Sequence, residues 1–264
     1  MNVFISNQQE ILNNNGYQAW HKVTLRDFGD ENLEISVMPY ETWSEPCEND
    51  LRPKSLRGEG DRERSAESAA KRAKRRVRHL CKLLKARYMV TLTTKEIITD
   101  IDVFQKLFQE FVRRIRLVNN FQYVATHELQ QRGALHLHVA VATRQDYKLL
   151  WSVWQRVVGE GQGRVHVTSG TKKASVNLIA AYISKYIAKS FQTVNPDDLN
   201  KRRYWASKNI GEIIKEVHLL RKNWSYVDVI CYVTELCAER GIHFERIAFW
   251  CNGDKGLLWM TTVG

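Results

Sequence analysis

Two histidines separated by one residue have the spacing of a metal site. The segment LHLHVAV alternates as a β-strand does, which sends its leucines and valines to one face and His136 and His138 to the other. Glu128, eight residues earlier, lies in the segment FQYVATHELQ, which is predicted to be the neighbouring strand. Two imidazoles and one carboxylate leave coordination positions open and suit Mg²⁺, Mn²⁺ or a later divalent metal that polarises a phosphate.

The connection between these two strands decides whether the three side chains meet. The strands are joined at QRG, a glycine-containing hairpin loop. If the turn is centred on Arg132, Glu128 lies opposite His136, with Cβ atoms roughly 4.5 to 5.5 Å apart. A bulge at Gly133 would shift this register by one residue and separate the carboxylate from the imidazole.

A second group of reactive side chains lies on one predicted helix. The segment KKASVNLIAAYISKYIAKSF projects into an apolar stripe and a neighbouring polar face. The polar face carries Tyr182, Lys185, Tyr186 and Lys189, with the two tyrosines one turn apart. A free tyrosine has a pKa near 10, so each lysine is predicted to help its neighbouring phenol ionise as a nucleophile. The apolar stripe consists of Val176, Ile179, Ala180, Ile183 and Ile187.

The charge of the chain is concentrated in one segment. The 264 residues include 40 Lys+Arg and 29 Asp+Glu, a formal net charge of +11, and residues 52 to 87 hold 14 of the cations against four acids. A helix is predicted from Ser65, its N-cap, through SAESAAKRAKRRVRHLCKLLKAR. Its exposed cations are predicted to contact nucleic-acid phosphates, with a merely solvated basic face as the alternative. These cations are Lys71, Arg72, Lys74, Arg75, Arg76 and Arg78.

Composition excludes several classes of protein. A hydrophobic content of 44% argues against wholesale disorder, and 14 Gly and 4 Pro exclude collagen-like sequences. The five cysteines are widely spaced, which favours free thiols over a disulfide framework. With no apolar run of 18 residues and no signal-peptide pattern, we expect a soluble protein of the bacterial or phage-infected host cytoplasm, with no membrane partner.

The order of the predicted elements indicates an α+β fold with helices packed on a largely antiparallel sheet. After a strand at YMVTLTT come a helix from about Asp100 to Val118, the two hairpin strands, a helix from Gln145 to Val158, a strand at GRVHVTS and the tyrosine-bearing helix. The first of these helices is expected to pack through Val103, Leu107, Phe111, Ile115 and Val118. Upstream, YQAWHKVTL and NLEISVM form a possible two-stranded piece.

The blocks VTLTT, HLH and YISKYIAK resemble, in this order, motifs I, II and III of the HUH endonuclease superfamily. The similarity is to rolling-circle replication initiators (Rep) of the phage gene A type with paired tyrosines, and it covers roughly residues 65 to 192. Glu128 lies where related initiators carry their acidic ligand. The resemblance implies an RRM-like palm: a five-stranded sheet with the histidines at its centre.

Membership would imply nicking of one DNA strand at an origin, a 5′-phosphotyrosine and a free 3′-OH. The metal site would be His136, His138 and Glu128; Tyr182 and Tyr186 would alternate in cleavage and joining; and, from position alone, Lys185 and Lys189 would stabilise negative charge. The alternatives are a related HUH transposase or relaxase, and a non-catalytic DNA-binding module that retains the fold. A phosphodiesterase of RNA ends would need two His-x-Ser/Thr motifs, of which the sequence supplies one.

Four segments are predicted: an N-terminal appendage (1–50), a connection (51–64), the endonuclease core (65–192) and a C-terminal extension packed on that core (193–264). The expected partner is single-stranded or origin DNA. The sequence lacks the GxxxxGK[ST] loop of a helicase, so a host helicase and polymerase are expected to assist.

Overall fold

The computed structural model describes residues 2–5, 17–43, 62–168, 175–192, 201–221 and 224–263. The chain forms two compact units, one of residues 58–211 and one that combines residues 1–57 with residues 212–264. No helix in the described ranges is both long enough and apolar enough to cross a bilayer.

The structure contains five α-helices and eleven strands in its described parts. In chain order they are β1 (Asn2–Ile5), β2 (Tyr17–Asp27), β3 (Leu33–Trp43), α1 (Arg62–Leu83), β4 (Tyr88–Thr94), α2 (Ile101–Ile115), β5 (Val124–Leu129), β6 (Leu135–Val141), α3 (Tyr147–Val158), β7 (Gly163–Val167), α4 (Val176–Gln192), β8 (Tyr204–Ala206), β9 (Ile214–Arg221), α5 (Tyr226–Ala238), β10 (Ile247–Asn252) and β11 (Leu257–Thr262). Single turns of 3₁₀-helix lie at Phe244–Arg246 and Gly253–Lys255.

The unit of residues 58–211 is built on a five-stranded sheet in the order β7-β4-β6-β5-β8. Every pair of neighbours in this sheet is antiparallel. The histidine-bearing strand β6 is central, and helices accompany the sheet on both faces. The predicted α+β fold with an antiparallel sheet is therefore confirmed.

The two faces of this sheet bury different cores. The apolar residues of β6 face a core with α2 and α3 that includes Phe104, Phe108, Phe111, Trp154, Leu137 and Val139. The opposite face packs against α1 and α4 through Val77, Leu80, Leu84, Ala140, Ile183 and Ile187. The strand alternation read from LHLHVAV is thus the alternation between two buried layers.

The apolar face of α2 differs from the predicted stripe. Val103 and Val118 are 45% and 67% exposed, whereas Phe104 and Phe108 are almost fully buried. Steps of four residues drift about 40° around a helix at each step, so the predicted series leaves the core. Mixed steps of three and four stay on one face, and Val118 lies beyond the helix end at Ile115.

The basic helix begins earlier than predicted. Since α1 starts at Arg62, Ser65 lies inside the helix and is not its N-cap. The predicted stripe is otherwise placed as expected, because Val77, Leu80 and Leu84 are buried against α4.

The other unit has its own sheet and core. Its six strands follow the order β1-β9-β2-β3-β11-β10, in which β1 and β9 are parallel and all other pairs antiparallel. The predicted pairing of YQAWHKVTL with NLEISVM is present as β2 and β3. α5 covers this core, with Val229 and Val233 fully buried.

This unit changes the predicted division of the chain. The sequence suggested an N-terminal appendage and a separate C-terminal extension, but β2 pairs with β9 and β3 pairs with β11. The two ends therefore form one sheet and share one core. Hydrogen bonds between strands about 200 residues apart leave no local signal in the sequence.

The two α2 faces predict opposite effects of neighbouring substitutions. Phe104→Ala removes a fully buried ring and should lower the free energy of unfolding by about 3–5 kcal/mol. Val103→Ala, one residue earlier on the exposed face, should change it by no more than about 0.5 kcal/mol. Urea denaturation followed by circular dichroism measures both; equal losses would contradict the assigned face.

Candidate functional site

The hairpin of β5 and β6 brings the three predicted ligands together. Glu128 lies directly opposite His136 in the register, with no shift at Gly133. Gly133 instead sits in the turn with a φ of 81°, a left-handed conformation that glycine adopts without steric cost. The turn is closed by hydrogen bonds from Gln130 N to Ala134 O and from Gly133 N to Gln130 O, both 2.9 Å.

The ligand atoms converge on one point. His136 Nε2 and His138 Nε2 are 2.9 Å apart, and Glu128 Oε2 lies 3.3 Å from the first and 3.2 Å from the second. The three side chains are 14%, 6% and 17% exposed, so the cluster is sheltered but reachable. Among the described residues, these three form the one group of His, Cys, Asp or Glu side chains placed to bind an ion together.

This geometry fits a divalent cation. In an octahedral shell with bonds of about 2.1 Å, adjacent ligand atoms are about 3.0 Å apart. The three separations in the cluster are close to that value, as for three ligands on one face of an octahedron. Such a set leaves the opposite positions open for water and a phosphate oxygen.

A pair of side chains that the sequence did not single out supports His136. Gln130 Nε2 lies 2.7 Å from His136 Nδ1, and Arg132 Nε donates to Gln130 Oε1 at 2.9 Å. Arg132 is anchored in turn, because its guanidinium donates to Lys95 O at 3.0 Å and to Thr94 O. Partners of this kind orient a ligand imidazole. Strand spacing did not reveal them because the contacts depend on how long side chains fold back.

The tyrosine-bearing helix α4 covers the neighbouring part of the histidine face. Its predicted stripe, namely Val176, Ile179, Ala180, Ile183 and Ile187, is buried. This packing directs Tyr186 onto the cluster, where its ring stacks on His138 with centroids 3.7 Å apart and planes at 23°. Tyr182 lies further out, 46% exposed, with its ring centroid 6.2 Å from that of His138.

The two phenols are linked by a hydrogen bond. The Tyr186 hydroxyl donates to the Tyr182 oxygen at 2.7 Å. Burial raises the pKa of Tyr186 above its usual range, and the hydrogen bond to Tyr182 acts in the same direction. The sequence predicted that neighbouring lysines would lower the phenol pKa, so for Tyr186 the structure gives the opposite direction. Lys185 is exposed, and the side chain of Lys189 lies outside the described residues.

The predicted nucleic-acid contacts of α1 lie mainly on its solvent side. Arg72, Lys74, Arg75 and Arg76 are exposed, and Arg78 is half-buried. Lys71 forms an ion pair with Glu67 at 2.7 Å, but both side chains are mostly exposed, so the pair contributes little stability. The cations thus point away from the core that α1 shares with α4.

The cluster predicts selective loss of metal binding. His136→Ala should abolish Mn²⁺ binding measured by isothermal titration calorimetry, because a facial set loses one of three ligands. Gln130→Ala should weaken Mn²⁺ binding roughly tenfold or more through loss of imidazole orientation. His166→Ala, in the exposed part of β7, is the matched control. Unchanged affinity in His136→Ala would contradict the metal assignment.

Comparisons with known proteins support a role in replication. Residues 87–191, from the start of β4 to the end of α4, match a family model described as replication-associated protein of the ORF2 type. That range contains the metal-ligand cluster and both tyrosines but not the cations of α1.

Other comparisons add little. No curated protein matches the chain. One solved structure is similar, the crystal structure of the hypothetical protein ORF119 from Sulfolobus islandicus rod-shaped virus 1, at 17% identity and a TM-score of 0.28 over 42% of this chain and 91% of that one. The family match over residues 87–191 therefore carries the conclusion that the chain contains a replication-associated region.

Proposed function

We propose that this protein initiates rolling-circle replication by nicking and rejoining single-stranded origin DNA through a 5′-phosphotyrosine. The observation that carries the proposal is the stacking of Tyr186 on His138, which brings a pair of tyrosines to a metal-ligand cluster. The match of residues 87–191 to a replication-associated family supports the biological setting. Proposed host partners are a helicase and a polymerase.

The ligand cluster has the donor set for a divalent cation, Mg²⁺ or Mn²⁺. Bound there, the cation would supply the positive charge that polarises the scissile phosphate. His136, His138 and Glu128 hold that charge beside the tyrosines, and Gln130 keeps the His136 ring in place. The partial burial of the cluster lowers the local dielectric and strengthens its pull on a phosphate oxygen.

The geometry favours Tyr182 as the first nucleophile. Its ring is exposed to an incoming strand, and its oxygen accepts a hydrogen bond that stabilises the phenolate form. The Tyr186 proton is committed to that bond, so Tyr186 is the less readily ionised phenol in this arrangement. After the first cut, Tyr186 would be free to act on a second strand.

The covalent step conserves the phosphodiester. The Tyr182 hydroxyl loses its proton to solvent, and its oxygen attacks the phosphorus in line with the 3′ oxygen of the upstream nucleotide. The phosphorus–3′ oxygen bond breaks and that oxygen takes up a proton, which leaves a free 3′-OH. The new tyrosine–phosphate ester keeps the bond energy for rejoining, in which the same steps run in reverse.

Electrostatic support would come from two sets of cations. Lys185 and Lys189, on the same helix as the tyrosines, are proposed to stabilise the charge that develops at the phosphate. The exposed cations of α1 are proposed to hold the strand by its phosphates. Because α1 packs on α4, a strand bound along α1 would run beside the tyrosine-bearing helix.

Tyrosine substitutions test the nucleophiles. Tyr182→Phe combined with Tyr186→Phe should abolish the covalent adduct formed on circular single-stranded DNA with Mg²⁺ or Mn²⁺, measured as labelled DNA that migrates with protein in denaturing gels. Tyr182→Phe alone should remove most first-cut product, whereas Tyr186→Phe should retain it. Tyr147→Phe, exposed at the start of α3, is the matched control.

The outcomes separate the candidates. An adduct that persists in the double variant would refute the tyrosine mechanism, and first-cut product kept by Tyr182→Phe alone would reverse the assigned order. DNA binding that survives both EDTA and His136→Ala, with no nicked product from the unmodified protein, would instead identify a binding module. A transposase or relaxase would cleave transposon ends or a transfer origin in preference to a replication origin.

Neutralising the basic helix tests DNA contact. If α1 makes about five phosphate contacts, the slope of log affinity against log salt for single strands should be roughly −3.5. The triple change Arg72→Gln, Arg75→Gln and Arg76→Gln should reduce that slope by about 2 while leaving Mn²⁺ affinity intact. Fluorescence anisotropy measures the slope. Lys106→Gln, exposed on α2, is the control, and an unchanged slope in the triple variant would make α1 a solvated surface.

A further inference from the structure

Beside the metal-ligand cluster lies a small cavity with a basic lining. Its volume is about 290 Å³, and its walls come from the ends of β4 and β7 and from the turn between β5 and β6. Three of the six lining side chains are cationic and the other three are uncharged and polar. They are Thr93, Thr94, Lys95, Gln130, Arg132 and Arg164.

The sheet register ties this cavity to the cluster. Thr93 lies directly opposite His136 on one side and opposite Arg164 on the other. Directly opposed side chains share a face, so Arg164, Thr93, His136 and Glu128 form one row across four strands. Gln130 belongs to both features, since it lines the cavity and contacts His136. A strand whose phosphate reaches the cluster would therefore have its adjoining backbone over the cavity.

Arg132 is held in place before any ligand arrives. Its guanidinium donates to two backbone carbonyls, Thr94 O and Lys95 O, and to the side-chain oxygen of Gln130. These bonds use three of its five N–H donors and leave two for an acceptor in the cavity. A pre-positioned guanidinium loses little conformational entropy on binding an anion, which favours a fixed recognition site.

Lys95 and Arg164 add charge that their protein neighbours do not neutralise. Both are exposed, and neither forms an ion pair with an acidic side chain in the described ranges of the chain. Three cations around one small cavity favour an anion with several acceptor oxygens, such as a phosphate. The lining contains no aromatic or aliphatic side chain on which a base could stack, so the cavity suits a backbone phosphate better than a free nucleotide.

We infer that Lys95, Arg132 and Arg164 form a subsite for a phosphodiester next to the scissile one, which fixes the single strand so that the scissile phosphate meets the His136, His138 and Glu128 cluster. The inference rests on the proposed function for the identity of the strand. The subsite would act by position: it adds a backbone contact beside the reacting phosphate and carries no base specificity of its own.

Substitution of the two untethered cations tests the subsite. The variant Lys95→Gln with Arg164→Gln should reduce the salt slope for a fluorescein-labelled oligothymidylate by about 1.4, measured in EDTA, because two phosphate contacts are lost. Lys106→Gln removes one exposed cation from α2, on the opposite side of the sheet, and should leave the slope unchanged. An unchanged slope in the double variant, or an equal per-charge change in Lys106→Gln, would overturn the subsite.

Competition distinguishes a strand phosphate from a free anion. Inorganic phosphate and ATP at millimolar concentration should compete with the labelled oligothymidylate only weakly, and equally for the unmodified protein and the double variant. Tight ATP binding that is lost in the double variant while DNA binding is kept would overturn the strand assignment.

A nicking assay separates this inference from the proposed function. In circular single-stranded DNA, Lys95→Gln with Arg164→Gln should lower kcat/KM at least tenfold, with Mn²⁺ affinity unchanged. Absence of nicking by the unmodified protein would refute the proposed function, while the EDTA binding measurement would still test the cavity. Full nicking by the double variant would refute the subsite and leave the proposed function standing.

Discussion

The register of one β-hairpin is the constraint on which the candidate site depends. Side chains on a strand alternate between faces, so a slip of one residue between β5 and β6 would move Glu128 to the face opposite His136. The closed turn ending at Ala134 prevents that slip, because Gly133 takes the left-handed conformation without adding a bulge. Three ligand atoms within about 3.3 Å of one another are the direct result.

The second requirement is a helix that places phenols over that hairpin. α4 satisfies it because a single helix carries two adjacent faces, one buried with α1 against the sheet and one at the cluster. The stacking of Tyr186 on His138 makes the two features one site, and the hydrogen bond to Tyr182 extends it outward. The same contacts distinguish the two tyrosines, since one is sheltered and the other is exposed.

Charge is arranged around the site at two scales. The concentration of cations between residues 52 and 87 accounts for nearly all of the net charge of +11, and those on α1 that the structure describes lie mostly at its surface. The three cations of the cavity are fewer but closer to the ligand cluster, and Arg132 is locked by backbone carbonyls. Long-range attraction of a polyanion and accurate placement of one phosphate are therefore separate tasks for separate residues.

By itself, the sequence determined the features that follow from local periodicity. The two-residue repeat of LHLHVAV and its short connection predicted the pairing of Glu128 with His136, and the helical repeat of α4 predicted its buried stripe. Local rules failed on α2, where a series of four-residue steps missed the face that contains Phe104. Only the tertiary structure decided how distant segments meet, as in the stacking of Tyr186 on His138 and the union of the two chain ends in one six-stranded sheet. Such contacts depend on long-range strand order and on side-chain rotamers, and neither leaves a period in the sequence.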